Sequence, residues 1–180
     1  SEIEDVVRKV ETLARESDER VKTLMEENKD LAEKLKKLVR DVVEKVKREV
    51  TRLLDEVRRR PEREVLDRIR ETIKRIEDEL RELLKTIDRL SRDLERKNRE
   101  LRETSKKIID DIRRELDKLP EDEELKKVKE RLDEAERRSK ELIDEADRLN
   151  REMLKRVKEA IKKVKETLDK ALEDVERAVR

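Results

Sequence analysis

The sequence contains no glycine, cysteine, histidine or aromatic residue, and only two prolines. Each absence removes a class of chemistry. Without glycine there is no Gly-rich loop to cradle a phosphate. Without histidine, a serine nucleophile lacks its usual base, and every lysine near the candidate serines projects outward on a helical wheel. A bundle metal centre of the Glu-x-x-His kind is excluded for the same reason, and no Asp or Glu occupies the centre of an apolar stripe. Without aromatics there is no stacking platform for bases or cofactors. The missing cysteines leave the redox compartment unreadable.

Two further shortages bound the partners. Apolar runs stop at two residues, as at Val6-Val7, Leu53-Leu54 and Ile108-Ile109; a membrane span or the apolar region of a signal peptide needs far more. Charge of one sign is also missing: 53 basic residues face 52 acidic ones, interspersed along the chain. A nucleic-acid binder carries a basic face or stripe, and none stands out. The expectation is therefore no enzyme activity, no cofactor, no metal, no nucleic acid and no membrane. The chain opens at Ser1 with no targeting segment, so soluble, cytoplasmic recombinant expression is expected.

What is present is charge and period. Charged residues make up 58% of the chain and hydrophobic ones 32%. That composition is close to the signature of long helices and coiled coils. Disordered charged chains lack periodicity, whereas here the apolar residues return on one helical face. The stripe runs Ile3, Val6, Val10, Leu13, Val21, Leu24, then Leu31, Leu35, Leu38, Val42, Val46, Val50, Leu53 and Val57. Its period is about 3.6 residues, and the stripes from Val65 to Leu119 and from Leu125 to Val179 share it. A seam of about 3.5 residues forces left-handed supercoiling, so about 3.6 predicts nearly straight helices with little supercoil.

Pro61 and Pro120 divide the chain into thirds. Proline breaks helix interiors and is welcome at a first helical position. Three helices are predicted, about 2–58, 61–118 and 121–179. At 100° per residue the second stripe is rotated by about 145° from a continuation of the first, which favours true breaks over kinks. The ends suit the helix dipole: Glu62 and Glu64, then Glu121 to Glu124, open helices, and Arg58 to Arg60 close one. Ser1 with Glu4 can form a capping box. Acid-to-base pairs at spacing four, such as Glu33–Lys37, Glu44–Arg48, Glu71–Arg75, Asp144–Arg148 and Glu159–Lys163, are expected on the solvent faces. The stripe often widens to adjacent pairs, which suits three helices around one axis better than a dimeric seam. One inward stripe per helix nearly exhausts the apolar supply. The predicted fold is all-α: a single domain over residues 1–180, a monomeric up-down-up three-helix bundle.

Polar residues interrupt each stripe. Ser17 and Asn28 lie near the centre of the first, Asn98 and Ser105 near that of the second, and Ser139 at that of the third, with Asn150 about 30° off it on a 100° wheel. Their order reverses in the middle helix, as an up-down-up bundle requires. If residue x faces about 122 − x in helix two and x + 122 in helix three, Ser17, Ser105 and Ser139 share a layer. Asn28 and Asn150 share another, with Asn98 about 6 Å along the axis at about 1.5 Å per residue and Ser91 able to join. We read these as interhelical hydrogen-bond layers that set register, because a slipped arrangement strands a buried polar group at about 1–3 kcal/mol. Partly solvated filler, or a small hydrated polar cavity able to hold a ligand, are the alternatives. Thr12, Thr23 and Thr51 project to the surface.

Taken together, the equal helices, the even period, the Glu/Lys/Arg-saturated surface, the missing residue types and one Ser and one Asn per helix on matching levels resemble computationally designed, parametric helical bundles with buried hydrogen-bond layers. The turns depart from that pattern in lacking Gly, Asp or Ser caps. The resemblance implies an idealised, very stable three-helix rod, a scaffold without a natural substrate. Low contact order also favours stability with fast folding. The alternative is an interaction module or oligomeric building block, self-associating or engaging another helical chain. A widened face on helix two (Leu66, Ile73, Leu84, Ile109) keeps that alternative open.

Overall fold

The computed structural model describes residues 2–179. The Ser1–Glu4 capping box lies partly outside them. Three α-helices account for nearly the whole chain: α1 Glu2–Arg59, α2 Arg63–Asp117 and α3 Glu123–Val179. Leu, Glu, Lys and Arg, strong helix formers, build most of them, and the Val and Ile residues fall mainly on the apolar stripe, where packing compensates for their lower propensity.

The two turns differ from expectation in the same direction. Helix α2 begins at Arg63 and α3 at Glu123, each two residues later than predicted. Pro61 and Pro120 therefore stand outside the helices. The first helical carbonyls are those of Glu62, which accepts from Val65 N (3.1 Å) and Leu66 N (3.2 Å), and Asp122, which accepts from Lys126 N (3.1 Å). Accepting the first helical bond is what an N-cap residue does. The turn before α3 thus has an Asp at its cap position after all. The missing N–H of each proline falls where no helical bond is required. No described residue has positive φ, so both turns are built without the left-handed conformation that glycine usually supplies.

The chain forms two compact units. Unit one holds residues 1–31 and 92–151; unit two holds 32–91 and 152–180. Each takes a segment from all three helices. Within unit one, Lys9 pairs with Glu115 at 3.5 Å; within unit two, Arg75 pairs with Glu49 at 3.4 Å, and Arg68 with Glu56. In each of these α1–α2 pairs the residue numbers add to 124, so numbers rise on one helix as they fall on the other: the helices are antiparallel. Between α2 and α3, beside Arg102–Asp147 and Arg113–Glu136 at 249, the recurring total is 246. It holds for Arg113–Asp133 (2.6 Å), Arg102–Asp144 (2.7 Å) and Lys129–Asp117 (3.2 Å) in unit one. It holds also for Arg70–Glu176 (3.1 Å) and Lys158–Asp88 (3.2 Å) in unit two. Arg131 with Glu11 (3.3 Å) joins α3 to α1 in unit one.

Several acids and bases expected to pair within a helix instead reach across. Arg75 goes to Glu49 and Asp144 to Arg102. An interhelical partner is closer to the low-dielectric flank, where the attraction is less screened. The exposed threonines back-bond to their own helix: Thr12, Thr23 and Thr51 each donate to the carbonyl four residues earlier, at 2.8–2.9 Å.

Among the described residues the stripes are buried or half-buried, with one exception. Leu38 is 43% exposed, and Val39 beside it, at 7%, takes the inward place. Adjacent residues lie 100° apart on a helix, and at this doubled position Val39 is the one nearer the axis. Leu66, Ile73 and Ile109, which widened the apolar face of α2, are buried.

Candidate functional site

Polar side chains concentrate in the interior of unit one. Asn28, Asn98, Ser105, Ser139 and Asn150 are all buried there, while Ser17 is half-buried. Ser91 is buried in unit two. A buried amide must find partners or cost about 1–3 kcal/mol, so the partners define what the arrangement can do.

Asn28 turns to its own helix. Its Nδ2 donates to the Leu24 carbonyl at 2.7 Å, and its Oδ1 has no partner among the described residues. Asn98, 1% exposed, reaches across to α3: Nδ2 donates to Asp147 Oδ1 at 2.7 Å. The other Asp147 oxygen accepts from Arg102 Nη2 at 2.9 Å, and Arg102 Nη1 donates to Asp144 Oδ1 at 2.7 Å. This Asn98–Asp147–Arg102–Asp144 chain bridges α2 and α3 at the edge of the polar interior. Burial works to lower the pKa of Arg102, but the hydrogen bonds and negative charges of Asp144 and Asp147 outweigh it and leave it raised. A second fork, Arg113 with Asp133 (2.6 Å) and Glu136, behaves alike. Charge-assisted hydrogen bonds of this kind, one guanidinium shared by two carboxylates, are stronger than neutral ones.

Sequence reasoning found Asn98 but not its partners. Asp147 follows the stripe residue Ala146 and Arg102 follows Leu101; both sit on stripe flanks and read as ordinary surface charges. The usable signal was register. On flanks totalling 246, residue 98 stands one step from 147 and residue 102 opposite 144.

Ser17 and Ser139 come together around a small cavity of about 20 Å³, with Ala14, Ile109, Leu132 and Ala135 in its wall. Ser105 is buried but stands outside that wall. The Ser139 hydroxyl has no hydrogen-bond partner among the described residues.

In unit two, Glu77 hydrogen-bonds Asp169 across α2 and α3, a carboxyl against a carboxyl. Burial first, then that bond and the charge of Asp169, raise the Glu77 pKa above its ordinary 4.5, with Lys165 and Arg81 pulling the other way. Among the described residues no three metal-ligating side chains stand together, and no helix is long and apolar enough to cross a membrane.

No protein-family model matches the chain, and no curated protein matches it. Among solved structures, a computationally designed three-helix bundle is similar, with 18% identity and a TM-score of 0.40, covering 99% of this chain and 89% of that one.

Proposed function

We propose that the protein is a designed structural scaffold, a three-helix bundle with no substrate and no catalytic task, whose buried Ser and Asn residues set helix register. The observation that carries this reading is the set of five buried Ser and Asn side chains in the otherwise aliphatic interior of unit one. Such groups add little to stability when satisfied and are costly in any arrangement that strands them. They act against slipped or reversed helices. The recurring totals of the interhelical ion pairs support one register within each unit. The use of the large apolar residues, with Leu38 alone among the described ones left exposed, supports a monomer. The regular composition supports a designed origin.

The test is light scattering together with thermal melts, on the native chain and on the triple variant Asn28→Leu/Asn98→Leu/Asn150→Leu. The native chain is expected at its monomer mass of 21.8 kDa. The variant should keep or raise its Tm while spreading over several masses or registers. A native mass at a multiple of 21.8 kDa would transfer the reading to an oligomeric building block. A variant that stays a single species and loses 10 °C or more, on the order of 3 kcal/mol for a chain of this size, would make the asparagines a stabilising network instead of a register device.

A further inference from the structure

We propose that the cavity beside Ser139 is a binding site for one water molecule, held between α1 and α3 within unit one. Its volume of about 20 Å³ is that of a single occupant. A site needs roughly 10–15 Å³ to accept a water and about 150 Å³ to accept a benzene-sized guest, so larger ligands are excluded. The space exists because α1 and α3 each place an alanine, Ala14 and Ala135, where a longer apolar side chain would fill the interior.

Size alone does not wet a cavity: apolar voids stay dry, and a buried water needs two to four polar partners. Three polar residues line this one, Ser17, Asp18 and Ser139. Ser139 is decisive. Only 9% exposed, it carries a hydroxyl with no partner among the described residues, and it faces the space a water would occupy. A water there accepts from, or donates to, Ser139 Oγ, and has Ser17 and the Asp18 carboxylate at hand for its remaining bonds. Asp18 is half-buried, and its carboxylate also pairs with Lys22 at 3.5 Å. Ser139 and the water together replace a direct serine-to-serine bond. Occupancy of the site is independent of whether the polar positions set register, since it needs only the cavity and the hydroxyl.

Two measurements on the full chain test this. A crystal structure that orders internal waters should show one density peak within hydrogen-bond distance of Ser139 Oγ; a well-ordered but empty cavity would overturn the proposal. A double-mutant cycle gives a second readout that folding defects do not mimic. Ala135→Val fills the cavity and expels the water. In the native background it strands the Ser139 hydroxyl, whereas in a Ser139→Ala background it strands nothing. The Tm loss from Ala135→Val should therefore be larger by about 3 °C or more when Ser139 is present. The helix-propensity cost of valine is common to both backgrounds and cancels. Equal losses, or a gain in the native background, would mean a dry cavity.

Discussion

The two compact units are nearly equal in length and draw on the same three helices, yet their interiors differ. Among the described residues, unit two buries twenty apolar side chains and one serine, whereas unit one buries twelve apolar side chains and five Ser or Asn residues. Seven of the apolar residues of unit one form one cluster, around Val10, Ile112, Leu116, Leu125 and Leu132, and the others, Val21, Leu24, Leu94 and Ile143 among them, share the interior with the amides and hydroxyls. Burial of an aliphatic side chain contributes about 1.5–3 kcal/mol without regard to direction. A buried amide contributes little net but demands a particular partner. Unit two is thus built for cohesion and unit one for selectivity, with the same helices serving both.

If that division is right, the two units should respond to truncation on different scales. Leu168, fully buried in unit two, should show the largest effect. Leu168→Ala leaves a cavity in a close-packed aliphatic interior and should cost about 2–5 kcal/mol. The measurement is the denaturant midpoint at unchanged slope. Ser139→Ala in unit one, by contrast, should stay within about 1 kcal/mol of the native chain, since it removes a hydroxyl together with its need for a partner. Comparable losses from the two substitutions would erase the distinction between the units.

The next effect sharpens the comparison inside unit one. Asp147 gathers Asn98 and Arg102 in the α2–α3 bridge. Asp147→Ala strands the buried Asn98 amide and removes one arm of the Arg102 fork. A loss of about 1–2 kcal/mol, or a Tm fall of about 2–8 °C for a chain of this size, is expected. Asp147→Asn keeps an acceptor for Asn98 without the charge and should recover about half. If Asp147→Ala costs no more than truncating an ordinary surface carboxylate, the bridge is a solvated ion pair of little worth.

These positions also mark how much was visible in the residues alone. Three helices, their order and their antiparallel course follow from two prolines and three stripes of one period. The helix starts came out two residues early because proline was placed at the first helical position, whereas Glu62 and Asp122 take the cap positions and leave Pro61 and Pro120 outside. Leu38 looked inward because a wheel cannot say which member of an adjacent pair wins; the choice falls to packing, and Val39 took it. The buried Ser and Asn residues stood out because a polar residue on an apolar stripe is an anomaly. Their partners did not, because Asp147 and Arg102 are two charges among many on flanks that look solvated. The cavity was equally hidden: Ala14 and Ala135 are ordinary helix formers, and only register brings two small residues and a serine to one level.

The smallest effect belongs to unit two and depends on pH. Glu77 and Asp169 place two carboxyl groups together beside an interior that is aliphatic apart from Ser91, and the native state holds the Glu77 proton more tightly than the unfolded chain does. When a native pKa is raised, the native state binds more protons between the two values, so stability falls as pH rises through the raised pKa. The charge of Asp169 opposes ionisation of Glu77, a repulsion that Lys165 and Arg81 partly offset. Glu77→Gln removes the repulsion and keeps a hydrogen-bond donor for Asp169. The variant should melt about 1 °C above the native chain at pH 7, in line with the few tenths of a kcal/mol typical of exposed like-charge pairs. The gap should close as pH falls through the raised Glu77 pKa, where the native chain gains the shared proton that the variant does not need. A gap that persists unchanged into acid would assign the gain to helix propensity or packing and remove the carboxyl pair from the comparison. A native chain steadier than the variant at pH 7 would mean that Lys165 and Arg81 more than offset the repulsion, and that the edge of the apolar unit is as well matched in charge as the polar bridge of its counterpart.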